Sequence, residues 1–149
     1  MEYSSYDSAY FDDLLRMAIA LWKDFPEGEL EKILKEIGSS ENKQIFFAKD
    51  GETITGFVYV SIRHDHVEGA HGSPTGYLEG IYIEANCRKK GVAQELYTLA
   101  EKWVVQKGCH QIGSDTWDWN ESSIAFHKKI GFQEKDTLVH FIKNIALDT

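Results

Sequence analysis

Apolar residues at the start of the chain recur at helical spacing. Phe11, Leu14, Leu15, Ala18, Leu21 and Trp22 fall on one side of a helix rather than on alternating faces. Asp7 or Ser8 supplies its cap. After a break at Asp24 and Phe25, a second helix is predicted with Pro26 in its first turn, Leu30, Ile33, Leu34 and Ile37 on one face, and Gly38 at its end. The period then changes. β-Branched and aromatic residues fill residues 44–49 and 54–62 on either side of Asp50-Gly51, which predicts a hairpin. A strand over residues 77–83 follows a loop containing Gly72, Ser73, Pro74 and Gly76, and precedes a basic turn. A long helix with Val92, Leu96, Leu99, Ala100, Trp103 and Val104 on one face stops at Lys107-Gly108. A short strand over residues 111–114, a helix from about Asn120 to Ile130 closed by Gly131, and a last strand over residues 137–142 complete the order.

Two helices and a hairpin followed by a βαβαβ run predict an α/β fold with a mixed central sheet, antiparallel in the first half and parallel in the second, flanked by about four helices. No internal repeat or linker divides it, so residues 1–149 read as a single domain. With 42% hydrophobic residues the chain can build one core. Its formal charge of -8 disfavours nucleic acid and suits a cationic partner. No basic leader precedes an apolar run and no stretch is long enough to cross a bilayer, so a soluble, cytoplasmic protein without a membrane partner is expected. Cys87 and Cys109 have neither metal-type spacing nor a disulfide framework and are expected to be reduced.

The residues that carry chemistry lie where strand 77–83 runs through Cys87-Arg88-Lys89-Lys90-Gly91-Val92-Ala93 into the long helix. Unpaired backbone N–H groups and the helix dipole make such a start an anion site. Gly91 and Ala93 permit close approach, and Arg88, Lys89 and Lys90 concentrate positive charge in an acidic chain, so a pyrophosphate fits here. The spacing is neither a Walker loop nor a Gly-x-Gly-x-x-Gly dinucleotide turn.

Arg88-x-x-Gly91-x-Ala93 after a strand, with residues 120–132 downstream, resembles the GNAT superfamily of N-acetyltransferases. The resemblance implies a GNAT-like fold, acetyl-coenzyme A as cosubstrate, and a bulged strand splayed from its neighbour to admit the pantetheine arm, with Gly80 at the bulge. Main-chain groups of Ile81, Tyr82 and Ile83 would meet the arm, residues 88–93 (Arg88, Lys89, Lys90, Gly91, Val92 and Ala93) the pyrophosphate, and Asn120 and Phe126 the cofactor channel. Leu21-Trp22, residues 73–82, Ser114-Asp115 and residues 123–132 are similar to aminoglycoside 6'-N-acetyltransferases, which modify one amine of a polycationic antibiotic and so confer resistance. A protonated amine must be bound and then deprotonated before it attacks a thioester. By this resemblance Glu79 and Asp115 are the substrate- and proton-handling carboxylates; Asp115 is expected to bind the amine and Glu79 to act as base, a division the residues themselves leave open. Trp22 ends an apolar stripe, where it packs the core; the resemblance instead sets it on the substrate cleft. His66 stands at a position tied to tyrosine in the subfamily.

His127 replaces the tyrosine that protonates the departing thiolate in many GNAT enzymes. Imidazole, titrating at about 6.5 in peptides, suits that task, and it equally suits lining the channel. His64, His66, Asp65 and His71 lie in a loop without a rigid ligand frame, and no metal is expected. Other small amines such as polyamines or amino acids are the alternative acceptors. A silent acyl-coenzyme A-binding module would need neither Glu79 nor Asp115. A homodimer is expected by analogy, through the final strand or the loop before Tyr77.

Overall fold

The computed structural model describes residues 1–146, which divide into two compact units, Met1–Asp115 and the remainder from Thr116 onward. The first unit holds a five-stranded sheet in the order β1-β2-β3-β4-β5, made of Glu2–Ser5, Lys43–Asp50, Thr53–Arg63, Thr75–Ile83 and Ile112–Ser114. The first three pairings are antiparallel and β4–β5 is parallel, the mixed arrangement that the element order predicts. β2 and β3 turn at Gly51, whose φ of +61° is one that glycine adopts without strain.

Three helices belong to this unit: α1 (Phe11–Leu21), α2 (Glu27–Lys35) and α3 (Val92–Gln106). Asp7 caps the short turn that leads into α1, accepting from Ala9 N at 2.9 Å. Leu14, Met17 and Ala18 of α1 and Leu30 and Leu34 of α2 are buried in one cluster with Ile45, Phe47, Phe57 and Tyr59. Strand alternation sends Val58 and Val60 to the opposite face, and α3 packs against β2, β3 and β4. On β4, Gly76 lies under Val104 of α3 so closely that a Cβ there would meet its methyl at 2.5 Å. Burying a ring such as Phe57 contributes about 1.5–3 kcal/mol, so α1 and α2 are fixed by the sheet more than by their own helicity.

In the second unit α4 (Glu121–Lys129) ends at Gly131, φ +101°. No described helix is long and apolar enough to cross a membrane.

Two elements depart from the sequence reading. β1 is polar and short, so its pattern carries no strand signal; pairing with the edge of β2, from Glu2↔Lys49 to Ser5↔Phe46, forms it. Residues 137–142, expected as a last strand, have no regular structure. A strand needs a ladder partner, and no described strand pairs with them.

Tyr59 gives the fold an alkaline limit. Burial, reinforced by the Glu79 charge, pushes its phenol from 10.0 up to about 12. The folded pKa lies above the unfolded one, so the stability it contributes is complete below pH 10 and is lost as pH rises toward 12. Thermal melts between pH 8 and pH 12 are expected to stay level and then fall above pH 10, by about 1.4 kcal/mol per pH unit from this phenol. In a Tyr59→Phe variant that contribution to the slope is absent.

Candidate active site

The β3–β4 ladder pairs Tyr59 with Gly80 and Val60 with Leu78, leaving Glu79 as an extra residue on β4. This is a β-bulge, and it re-aims side chains. Ser61 and Arg63 follow Phe57 and Tyr59 along the α1–α2 face by strand alternation, and Glu79 reaches them there. Gly80 faces the same way, since a Cβ on it would meet the Trp22 ring at 2.5 Å and Leu21 at 3.0 Å. Trp22 packs on Phe57 with ring centroids 6.0 Å apart. The tryptophan therefore serves the core and also walls the bulge.

Beyond the bulge the sheet opens. β5 pairs with β4 only from Gly76↔Ile112 to Leu78↔Ser114, so the half of β4 carrying Ile81, Tyr82 and Ile83 has no described strand on that side. An open edge offers main-chain donors and acceptors in an extended row.

A polar cluster borders the bulge. Glu79 Oε2 accepts from Ser61 Oγ at 2.6 Å and from Arg63 Nε at 3.3 Å and Nη2 at 3.1 Å, while Oε1 accepts from Arg63 Nη2 at 2.8 Å. The Arg63 guanidinium lies 3.4 Å from the centre of the Tyr77 ring. Tyr77 Oη donates to Asp115 Oδ2. Burial tends to lower the Arg63 pKa, but the bond and charge of Glu79 outweigh it and raise the value. The Tyr77 phenol is pushed up by burial and by Asp115, so it remains a donor at neutral pH. One arginine and one tyrosine thus hold two carboxylates on neighbouring strands, Glu79 at the bulge of β4 and Asp115 directly after β5. Sequence reasoning missed Ser61, Arg63 and Tyr77; the signal was the alternation of β3, which puts Ser61 and Arg63 in the row of Phe57 and Tyr59.

At the far end of β4 the chain passes through a short turn, Ala85–Cys87, into the basic segment. Arg88 Nε donates to the Ile83 carbonyl at 2.7 Å, and its guanidinium lies 5.6 Å from the Tyr82 ring centre. Lys89 at φ +63° and Gly91 at φ +81° turn the backbone left-handed on both sides of Lys90, and Gly91 caps α3. Lys89 and Lys90 are exposed. The amides of Val92 and Ala93 in the first turn of α3 have no intrahelical acceptor and carry the positive end of its dipole.

In the second unit Asn120 caps α4, its side-chain oxygen accepting from Ser123 N at 3.1 Å. His127 Nδ1 lies 2.7 Å from the Ser123 carbonyl oxygen and donates to it. Phe126 and Phe132 meet the imidazole edge-on, with centroids 6.2 Å and 5.2 Å away. A proton given up from Nε2 of such a ring requires the imidazolium form, because the neutral tautomer keeps its proton on Nδ1.

His66 sits in the loop between β3 and β4, exposed, with Nε2 3.4 Å from Glu68. Among the described residues no three His, Cys, Asp or Glu side chains gather as metal ligands. Cys87 and Cys109 are buried free thiols, and burial raises the Cys109 pKa, which suits packing rather than nucleophilic attack.

Residues 11–132 match the acetyltransferase (GNAT) family. The aminoglycoside N(6')-acetyltransferase type 1 of Acinetobacter haemolyticus is 34% identical over 137 residues, 92% of this chain and 94% of that one. Its namesake from Salmonella typhimurium is 33% identical over 123 residues, 83% of this chain and 85% of its own. Among solved structures, the apo 6'-N-acetyltransferase AAC(6')-IG from Acinetobacter haemolyticus superposes with a TM-score of 0.90 at 31% identity, over 98% of this chain and all 100% of the other. AAC(6')-Iy in complex with the bisubstrate analogue CoA-S-monomethyl-acetylneamine gives 0.89 at 28% identity, covering 97% and 98%. A bulged strand open on one edge, a basic turn at a helix start and a family pattern spanning most of the sequence lead to one assignment: this chain belongs to the acetyltransferase (GNAT) family.

Proposed function

We propose that the protein is an N-acetyltransferase that moves acetyl from acetyl-coenzyme A to the 6'-amine of aminoglycosides, a reaction that confers resistance to them. The observation that carries this reading is the Glu79 bulge beside the open edge of β4, with Asp115 held at the end of β5 by Tyr77. The residues present fit coenzyme A. Ile81, Tyr82 and Ile83 offer an unpaired strand edge for an amide-rich arm, and Arg88, Lys89, Lys90 and the amides of Gly91, Val92 and Ala93 suit a pyrophosphate. Acetyl-coenzyme A supplies an acyl group activated as a thioester. By family likeness Asn120 and Phe126 serve the same ligand, and His127 returns a proton to the leaving group.

Asp115 binds the acceptor ammonium through the oxygen that the Tyr77 hydroxyl leaves available. Glu79 takes the amine proton, directly or through water. Its Oε2 is filled by Ser61 and Arg63, whereas among the described residues Oε1 accepts only from Arg63 Nη2, which leaves a lone pair for the incoming donor. Trp22 walls the acceptor cleft, and His66 lies in the loop that edges it. A net charge of -8 favours a polycation at every approach. The two units act as one domain, which the extent of the family match over both of them supports. Buried, free Cys87 and Cys109 suit the reducing cytoplasm.

A coupled thiol-release assay with acetyl-coenzyme A tests this function. Turnover with kanamycin is expected; turnover with spermidine or an amino acid but with no aminoglycoside overturns the acceptor class and leaves only the family.

The protein also works as a homodimer in this reading. Leu138, Val139, Phe141 and Ile142 are 69%, 69%, 91% and 97% exposed, an apolar run that a second copy would cover. Light scattering is expected to give twice the chain mass, and Phe141→Asp with Ile142→Asp to give the monomer. A wild-type monomer at micromolar concentration rules the dimer out.

A further inference from the structure

Trp117 and Trp119 are 65% and 70% exposed and lie side by side, so they form a contiguous apolar patch rather than singly scattered side chains. Their rings stack nearly parallel, 11° apart with centroids separated by 6.4 Å. The loop that bears them is pinned. Asn120 N donates to the Trp117 carbonyl at 3.0 Å, Glu121 N donates to the Trp119 carbonyl at 3.1 Å, and Asn120 in turn caps α4. The two indoles therefore stand on a fixed turn rather than a loose one, and ordering them costs a ligand little. Between them in sequence is Asp118, an exposed carboxylate.

Flat π-faces with a carboxylate at hand suit a saturated ring bearing protonated amines, whose C–H face packs on indole while an ammonium meets the ring face or the carboxylate. A nucleic acid base would stack equally well, but the charge of -8 repels its backbone. Trp117 follows Asp115 by two residues in the chain.

We infer that Trp117, Asp118 and Trp119 form an aromatic platform that binds a second ring of an aminocyclitol or aminosugar acceptor. This rests on the acceptor class proposed above. The platform contributes to affinity and does not take part in acetyl transfer, so Trp117 and Trp119 are specificity-determining residues rather than catalytic ones.

Calorimetric titration of kanamycin into full-length protein saturated with coenzyme A provides the test. The Trp117→Ala/Trp119→Ala variant is expected to raise the kanamycin Kd about ten-fold, the worth of one to two ring contacts. Trp117→Phe/Trp119→Phe is expected to recover most of the loss, and coenzyme A affinity to stay at the wild-type value in both. Both positions are exposed, so the variants are expected to fold as the wild type does, and an unchanged circular dichroism spectrum checks this. Unchanged kanamycin affinity in the alanine variant, or a parallel loss of coenzyme A affinity, overturns the platform. So does a change of oligomeric state in that variant, which would assign the indoles to a subunit contact. Failure of the wild type itself to bind kanamycin strikes the acceptor class instead, and is separated from these results by the first titration.

Discussion

Asp115→Ala is expected to lower kcat/KM for an aminoglycoside about 100- to 1000-fold while leaving acetyl-coenzyme A affinity within about two-fold. The carboxylate lies directly after β5 and takes the Tyr77 hydroxyl on one oxygen; in the proposed function the other oxygen meets the acceptor's cation. Removing it leaves the acceptor ammonium without a counter-charge and Tyr77 without its acceptor. Tyr77→Phe should show a smaller loss, about ten-fold, because the carboxylate remains but its orientation is no longer fixed. Glu79→Gln separates the two carboxylates. It keeps the bulge and a hydrogen-bonding side chain for Ser61 and Arg63 but cannot take a proton, so kcat should fall while acceptor KM changes little. Steady-state kinetics on purified variants, with cofactor binding by calorimetry, check all three. Activity of Asp115→Ala within about three-fold of wild type would remove this residue from the mechanism.

Gly80→Ala is expected to destabilise the protein by about 1–3 kcal/mol and to depress activity with every acceptor. The added methyl would lie 2.5 Å from the Trp22 ring and 3.0 Å from Leu21, so either the indole leaves Phe57 or the bulge shifts and moves Glu79. Pairing the change with Trp22→Phe tells these apart. If the clash with the indole is the cause, the smaller ring relieves part of it, and the double variant is more stable than the sum of the singles predicts. Additive losses in urea unfolding would mean that the glycine matters for its backbone alone.

The elements with strong periodicity were legible from the residues themselves. α1, α2 and α3 each carry an apolar stripe with a stop signal. β2 and β3 flank Asp50-Gly51, and β4 leads into the basic turn. The bulge was foreshadowed by Gly80 within a strand and by family likeness. β1 was not legible, since Glu-Tyr-Ser-Ser has no apolar alternation and forms only because an edge of β2 is there to pair with. Residues 137–142 misled in the opposite way: the pattern is that of a strand, but a strand is a relation between two segments and one chain's sequence names only one of them.

The candidate site divides along the same line. Local chemistry is written in short stretches: cations before a helix start, an asparagine that caps α4, a histidine bonded one turn back along its own helix. Contacts over long separations are not. Arg63 reaches Glu79 across 16 residues and Tyr77 reaches Asp115 across 38, and neither pair has a spacing that could announce it. The sequence by itself determined the strongly periodic helices and strands, where cations precede a helix start and which side chains can hold charge, because those follow from neighbours along the chain. Only the tertiary structure decided that a one-residue slip between β3 and β4 turns Glu79 toward Arg63 and Gly80 toward Trp22, because register is set by how whole strands pack.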